Sequence, residues 1–501
     1  MKIVRRVLLI VLLVLLPLAS GFVLLVGPWS VYTASNYEQS AYFARALAAI
    51  DAAAAKTSVA EAAAPLQAGW AEREITPEPG HPMAGYGGRP NQKRSTGVKE
   101  PLFVRALALN DGTDTVVLIG SDMLQTLPNL LEQVEARTLA QIGLTNRHIM
   151  YTSSHTHCGP GGLAPGFAAE LSYGPYAPAY VEFLAGQFAD AIVEAVQRLA
   201  PARFGHGAIE APHYIRNRTR DHGTVDSTLH VAVVERVEEG ERLYLARYSA
   251  HSTAYSQDML ELNNDYGGAF QRAVFEQTGA PLLFMGGAMG AMGPNPPGPS
   301  VPAPQNEAQR MGFEHDAESD LVRQGKKTLE DMLSDQRARV EAMGAGLAAR
   351  LLQAVQTLEM EDHLVAASLD AWYDPPPAQV RILSPRWRLS PWAFHLLGVP
   401  KTGRLQAARI GSLFLIGMPY DFSGETSREW QAWAAEQGAS LWVTGFSGAY
   451  LGYLSPDKYY HEMGEGFSYN QNYEIGQMNW FGPNQEAYVT DLFQHAFHAL
   501  H

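Results

Sequence analysis

The residues best suited to chemistry are the histidines of "TSSHTHCGPGG", Thr152 to Gly162. His155 and His157 are two apart and follow the apolar run "NRHIMY", which reads as a buried strand. In an extended chain residues two apart point to one side, so both imidazoles can look into one pocket. Imidazole nitrogen is a common zinc ligand, and catalytic zinc sites combine about three protein ligands with an open position. The same pair also fits two hydrogen-bonded histidines in a polar loop, and spacing does not separate the two. His251, in "RYSAHSTAYS", closes a second apolar run and adds weight to the metal reading. Acidic residues are too numerous for spacing to pick a partner among them. Cys158 is the only cysteine, so no intrachain disulfide can form. Beside His157 it invites a nucleophile reading, but nothing else of a thiol-hydrolase pattern is present, and a small loop residue fits better.

The elements around these residues alternate. "FVRALALN" and "TVVLIGSDM" read as strands, "NLLEQVEARTLAQIG" and "YVEFLAGQFADAIVEAVQRLA" as helices, and "ARFGHGAIE" and "STLHVAVVERV" as strands again. A Pro-rich loop, "GPNPPGPSVPAPQNEAQ", precedes a charged helical region. The C-terminal part mixes the strands "RIGSLFLIGMP" and "ASLWVTGF" with the helix "SGETSREWQAWAAEQG". Such alternation predicts an α/β protein.

The chain has 501 residues, 46% of them apolar, which is enough for one large core. Its net charge of -14 argues against a nucleic-acid partner, which would want a basic face. After the basic "MKIVRR", the run Val7 to Gly27 carries no charge. It reaches the roughly 20 residues that span a bilayer, so it predicts an uncleaved signal anchor rather than a cleaved leader. Lys2, Arg5 and Arg6 then stay on the cytoplasmic side, and the rest of the chain lies outside the cytoplasm. The expected organisation is an anchor helix over 1–27, an Ala-rich helical linker over 28–65, and one catalytic domain over 66–501.

Several blocks together resemble the neutral/alkaline ceramidase family. "GWAEREITPEPGHPMAGYG" is similar to its opening strand and glycine-tyrosine loop, "STGVKEPLFVRALAL" to its next block, and "GSDM" to an Asp-bearing strand end at Asp122. "HTHCGPGG" differs from the family's HTHSGPGG only at Cys158. "NWFGPNQEAYVTDLF" resembles the end of the family's catalytic domain. The resemblance implies two packed mixed β-sheets flanked by helices, and a Zn2+ cofactor. Its ligands would be His155, His251, Asp421 of "MPYDFSGE" and Tyr453 of "GAYLGYL". It further implies catalytic roles for His157, Arg218 of "RNRTR" and Tyr473 of "QNYEIGQ". Read residue by residue without the family, Tyr453, Tyr473 and Arg218 fit ordinary packing or ion pairing.

The chemistry so implied is hydrolysis of the N-acyl amide of a ceramide-like lipid, giving a fatty acid and a sphingoid base. Zinc would acidify a water and, with Tyr473 or His157, stabilise the oxyanion, while His157 serves the leaving amine. Two departures stand out. Asp421 replaces a glutamate, and Gly293 of "AMGPN" occupies a place where the family has serine. Two alternatives stay open: an amidase for another N-acyl lipid or small amide, and a metal-free, membrane-anchored binding domain.

Overall fold

The computed structural model describes residues 2–27, 35–88, 94–220, 223–298, 317–380, 388–396, 398–462, 474 and 478–501. Most of the Pro-rich loop and Tyr473 lie outside the described residues.

Two sheets dominate. The larger has eight strands: β1 Gln67–Glu74, β2 Phe103–Asn110, β3 Thr115–Ser121, β4 Ile149–Ser153, β5 Ala200–Glu210, β6 Thr228–Arg236, β7 Arg242–Tyr248 and β8 Leu282–Gly286. Their order is β8-β7-β6-β5-β1-β2-β3-β4. The smaller is β9 Ala366–Tyr373, β10 Gly403–Ile410, β11 Leu413–Gly417 and β12 Ser440–Thr444, in chain order. Both are mixed: β3 and β4, β7 and β8, and β11 and β12 pair in parallel, the remainder antiparallel.

Period-two alternation makes these strands two-faced. In β2, Val104, Ala106 and Ala108 join one core while Leu107 and Leu109 join another. In β11, Leu413 and Leu415 enter that second core while Phe414 and Ile416 turn away from it. The shared core, with Leu118, Met150, Ile410 and Trp442, is therefore the seam between the sheets. The outer face of the large sheet buries Leu184, Phe188 and Ile192 of the helix Pro178–Gln197 and Met343 and Leu347 of the helix Leu329–Val355. The outer face of the small sheet buries Trp430 of Gly424–Glu436 and Leu492, Phe493 and Ala496 of Gln485–Leu500. Four layers result, helices, sheet, sheet, helices, as the resemblance implies.

The Ala-rich segment forms its helix over Ala41–Ala54, capped by Ser40, whose hydroxyl accepts the Phe43 N–H at 3.2 Å. It is not a free linker. Ala46 and Ile50 are buried in the core of the small sheet together with Tyr37. The apolar N-terminal run is helical over Lys2–Val26. Among the described residues, no helix is long and apolar enough to cross a membrane. From Val11 to Leu25 the described large apolar side chains of that helix are exposed.

Candidate metal centre

The site gathers at the carboxyl ends of the parallel strands, where the loops of an α/β sheet open a crevice. β3 leads to Leu124, β4 to His155 and His157, β7 to His251 and β8 to Met289. β11 leads to Asp421 and β12 to Phe446 and Tyr453. Residues far apart in sequence thus converge because both sheets present the same kind of end to one place.

The three histidines meet through their Nε2 atoms. His155 to His251 is 3.1 Å, His251 to His157 is 3.0 Å and His157 to His155 is 3.3 Å. Two zinc-bound nitrogens at tetrahedral angles would stand about 3.3 Å apart, so the triangle matches one face of such a site. All three rings are buried. His155 Nδ1 lies 2.8 Å from the Leu124 carbonyl and His251 Nδ1 3.1 Å from the Met289 carbonyl. A carbonyl only accepts, so both rings carry their proton on Nδ1 and turn a lone pair inward on Nε2. Burial first, and the Arg218 charge second, hold both rings neutral: His155 is pushed down to about 3 and His251 well below its ordinary value, against the pull of their carbonyl partners.

His157 is wired the other way. Its Nδ1 accepts the Tyr86 N–H at 3.3 Å, so a neutral ring carries its proton on Nε2 and aims a donor at the centre. Tyr86 also packs edge-on against the ring, at 4.9 Å between centroids. The sequence expectation that His155 and His157 share a strand face is corrected here. β4 ends at Ser153, and His155 has φ 60, a left-handed conformation that costs a non-glycine residue roughly 1–3 kcal/mol. A turn, not strand alternation, brings the rings together. Phe446, also at φ 60, stacks on His155 at 3.6 Å and 10° and fixes the ring plane.

Asp421 lies 3.8 Å from His251 Nδ1 and is buried. It pairs in register with Tyr453 across the short parallel ladder Asp421–Phe422 and Tyr453–Leu454, which sets the two side by side. Arg218 follows the strand Ile215–Asn217; its Nη2 donates to the Tyr453 hydroxyl at 3.1 Å and its Nε to the Gly290 carbonyl at 2.9 Å. Six of the seven residues singled out from sequence occupy one region, the seventh being Tyr473, but among the described residues only the three histidines lie close enough together to share an ion, Asp421 standing on the Nδ1 side of His251. Glu425 is elsewhere in function: Ser423 caps the helix Gly424–Glu436, and Glu425 in its first turn accepts from Lys458 and Tyr459. Asp421→Ala is therefore expected to lose bound metal while Glu425→Ala retains it, as elemental analysis of the purified variants will show.

Cys158 is wholly buried in the core beneath the large sheet's helices, as a small loop residue would be. Gly293 pairs with Arg216, and a side chain there would start 3.2 Å from Arg218 Cβ. Asp122 accepts from Asn264 Nδ2 at 2.7 Å, and Asn264 in turn accepts from the hydroxyl of Ser154, the neighbour of His155. Composition and spacing gave no sign of Phe446 or of Glu474, a buried carboxyl that burial pushes up to about 7 against the charges of Arg218 and Arg220.

Gly85 lies directly against this centre, where a side chain has no room. It has φ +87, and a Cβ would fall 2.7 Å from the His157 ring. Gly85→Ala is expected to shift that ring and break its bond from Tyr86. Bound metal should be unchanged and turnover should drop by about a hundredfold, the order of loss that a 1 Å misplacement produces. Equal turnover in wild type and variant would contradict this.

Residues 67–252 match the model of "neutral/alkaline non-lysosomal ceramidase, N-terminal". Over that stretch the chain is similar to the neutral/alkaline ceramidase family. The matched region contains His155, His157, Arg218 and His251; Asp421 and Tyr453 lie beyond it. The neutral ceramidase of Pseudomonas aeruginosa superimposes with a TM-score of 0.67 at 18% identity, covering 87% of this chain and 74% of that one. A ceramidase complexed with C2 gives 0.66 at 17% identity, covering 86% and 75%. At such identities the likeness concerns the fold. No curated protein sequence matches the chain.

Proposed function

We propose that the protein is a metal-dependent amidase that hydrolyses the N-acyl bond of ceramide-like lipids. The observation that carries this reading is the inward convergence of three Nε2 atoms, two presenting lone pairs and one a proton. His155 and His251, with Asp421 and Tyr453, would hold the cation, and nitrogen with oxygen donors suits Zn2+. When bound, the cation polarises the amide carbonyl and acidifies a water.

The chain's own residues do the rest. His157 Nε2–H stands where a leaving nitrogen would need a proton. As the C–N bond breaks, the water's oxygen goes to the acyl carbon, and a proton passes through His157 to the amine. Arg218 stays charged and orients the Tyr453 oxygen and any anionic oxygen of substrate or product. Gly293 offers no side chain, so a serine acyl-enzyme has no place to form there.

A lipid substrate is supported by an apolar pocket beside the site. Leu127, Ala168, Tyr173, Val399, Tyr450 and Trp480 line it, and so does Ser172, whose carbonyl accepts the N–H of Gly85 against His157. The uncharged run Val7 to Gly27 supports anchoring in a membrane, with the catalytic domain on the extracytoplasmic side. Tethering would keep the domain where a lipid amide is concentrated. The test is a panel of ceramide, N-acyl ethanolamine and N-acyl amino acid, scored by fatty-acid release. Preference for ceramide is expected; preference for another amide moves the substrate, and no release from any of them refutes the amidase reading.

A further inference from the structure

The N-terminal helix ends at one particular place on the domain. The Leu25 carbonyl accepts the Ser390 N–H at 2.9 Å, directly before the short helix Pro391–Leu396. In that helix Phe394 points into the core, while Trp392 and Leu396, four apart and so on one face, are 54% and 74% exposed. The helix Phe167–Tyr173 starts close by. Gly166, just before it, approaches the Cα of Gly398 to 4.0 Å measured from an ideal Cβ. Its own outward pair, Phe167 and Leu171, is 66% and 52% exposed. Four large apolar side chains on two adjoining helices therefore face solvent beside the root of an apolar helix.

Large exposed apolar groups in one place usually mark an interaction surface. We infer that Phe167, Leu171, Trp392 and Leu396 form a bilayer-contact surface that seats the domain on the membrane. The inference rests on the reading of the protein as an anchored lipid amidase. Three observations select a lipid surface as the occupant. The surface adjoins the exit of the apolar helix Lys2–Val26, whose large apolar side chains from Val11 to Leu25 are themselves exposed. It includes a tryptophan, a residue that favours the headgroup level. The apolar pocket opens between the same two segments, lined by Ala168 and Ala169 on one side and Gly398, Val399 and Pro400 on the other. A chain drawn from the bilayer at this surface would enter the pocket without crossing water. The net charge of -14 points to zwitterionic rather than anionic lipid.

The test uses the full chain with an environment-sensitive fluorophore on a single introduced thiol, Phe167→Cys or Leu396→Cys. The native Cys158 is buried and stays unlabelled. Glu239→Cys is the control. It sits in the turn between β6 and β7, at the opposite end of β7 from His251 and so about 23 Å from the site end of that strand. Phosphatidylcholine vesicles are added, and flotation is measured in parallel. The inference expects co-flotation and a several-fold, blue-shifted rise in emission at positions 167 and 396, with none at 239. Flotation without a response at both positions overturns the contact surface and leaves the anchor intact. Absence of flotation overturns the surface and the anchoring together, while fatty-acid release from lipid in detergent micelles reports separately on the amidase reading.

Discussion

His155→Ala loses its metal and at least about a thousandfold in turnover, the equivalent of several kcal/mol of charge stabilisation. The ring is held from two sides, by the Leu124 carbonyl on Nδ1 and by Phe446 stacked on its face, and its Nε2 is one of the two inward lone pairs. The main chain supports this placement at a left-handed φ of 60, a conformation maintained against its own preference. Alanine keeps the Cβ that causes this strain, so the substitution acts through the loss of a ligand. The expected result is a folded variant with less than stoichiometric metal and no measurable fatty-acid release. Full metal occupancy in His155→Ala would remove this residue from the ligand set.

The second large effect belongs to His157. His157→Ala keeps its metal but loses of order 10²–10⁴-fold in turnover, the range for removal of a general acid. Distance alone does not separate His157 from the other two histidines, since all three Nε2 atoms lie within 3.3 Å of each other. The separation comes from what the far side of each ring touches. Carbonyls face His155 and His251, whereas the Tyr86 N–H faces His157. Metal content measured on the purified variant, together with its turnover, checks the assignment. Loss of the metal along with the activity would make His157 a third imidazole ligand.

The α/β class was legible in the pattern of residues, the layers came through the family resemblance, and the site's wiring stayed hidden. Near-continuous apolar runs such as Val104 to Leu109 and Leu413 to Ile416 read as strands, and their burial on both faces fits the two packed sheets that the resemblance implied. The motif around His155 and the order of the remaining blocks located most of the candidate site through family resemblance. The geometry that joins those residues was not legible. Left-handed φ values at Tyr86, His155 and Phe446 are imposed by tertiary packing, and no local propensity announces them. The docking of Ala41–Ala54 on the small sheet was hidden for another reason: alanine fits an exposed face as well as a buried one, so Ala46 and Ile50 mark the inner face only once the partner is seen. Glu474 is a single acidic residue among many, distinguished only by its burial.

The central claim is that a cation held by His155 and His251 drives amide hydrolysis. The most direct measurement is fatty-acid release from ceramide by the full-length protein in detergent, before chelation, after chelation and after return of Zn2+. Activity should vanish with the metal and return with it, in proportion to the metal regained. Undiminished release from protein shown by elemental analysis to be metal-free would contradict the account.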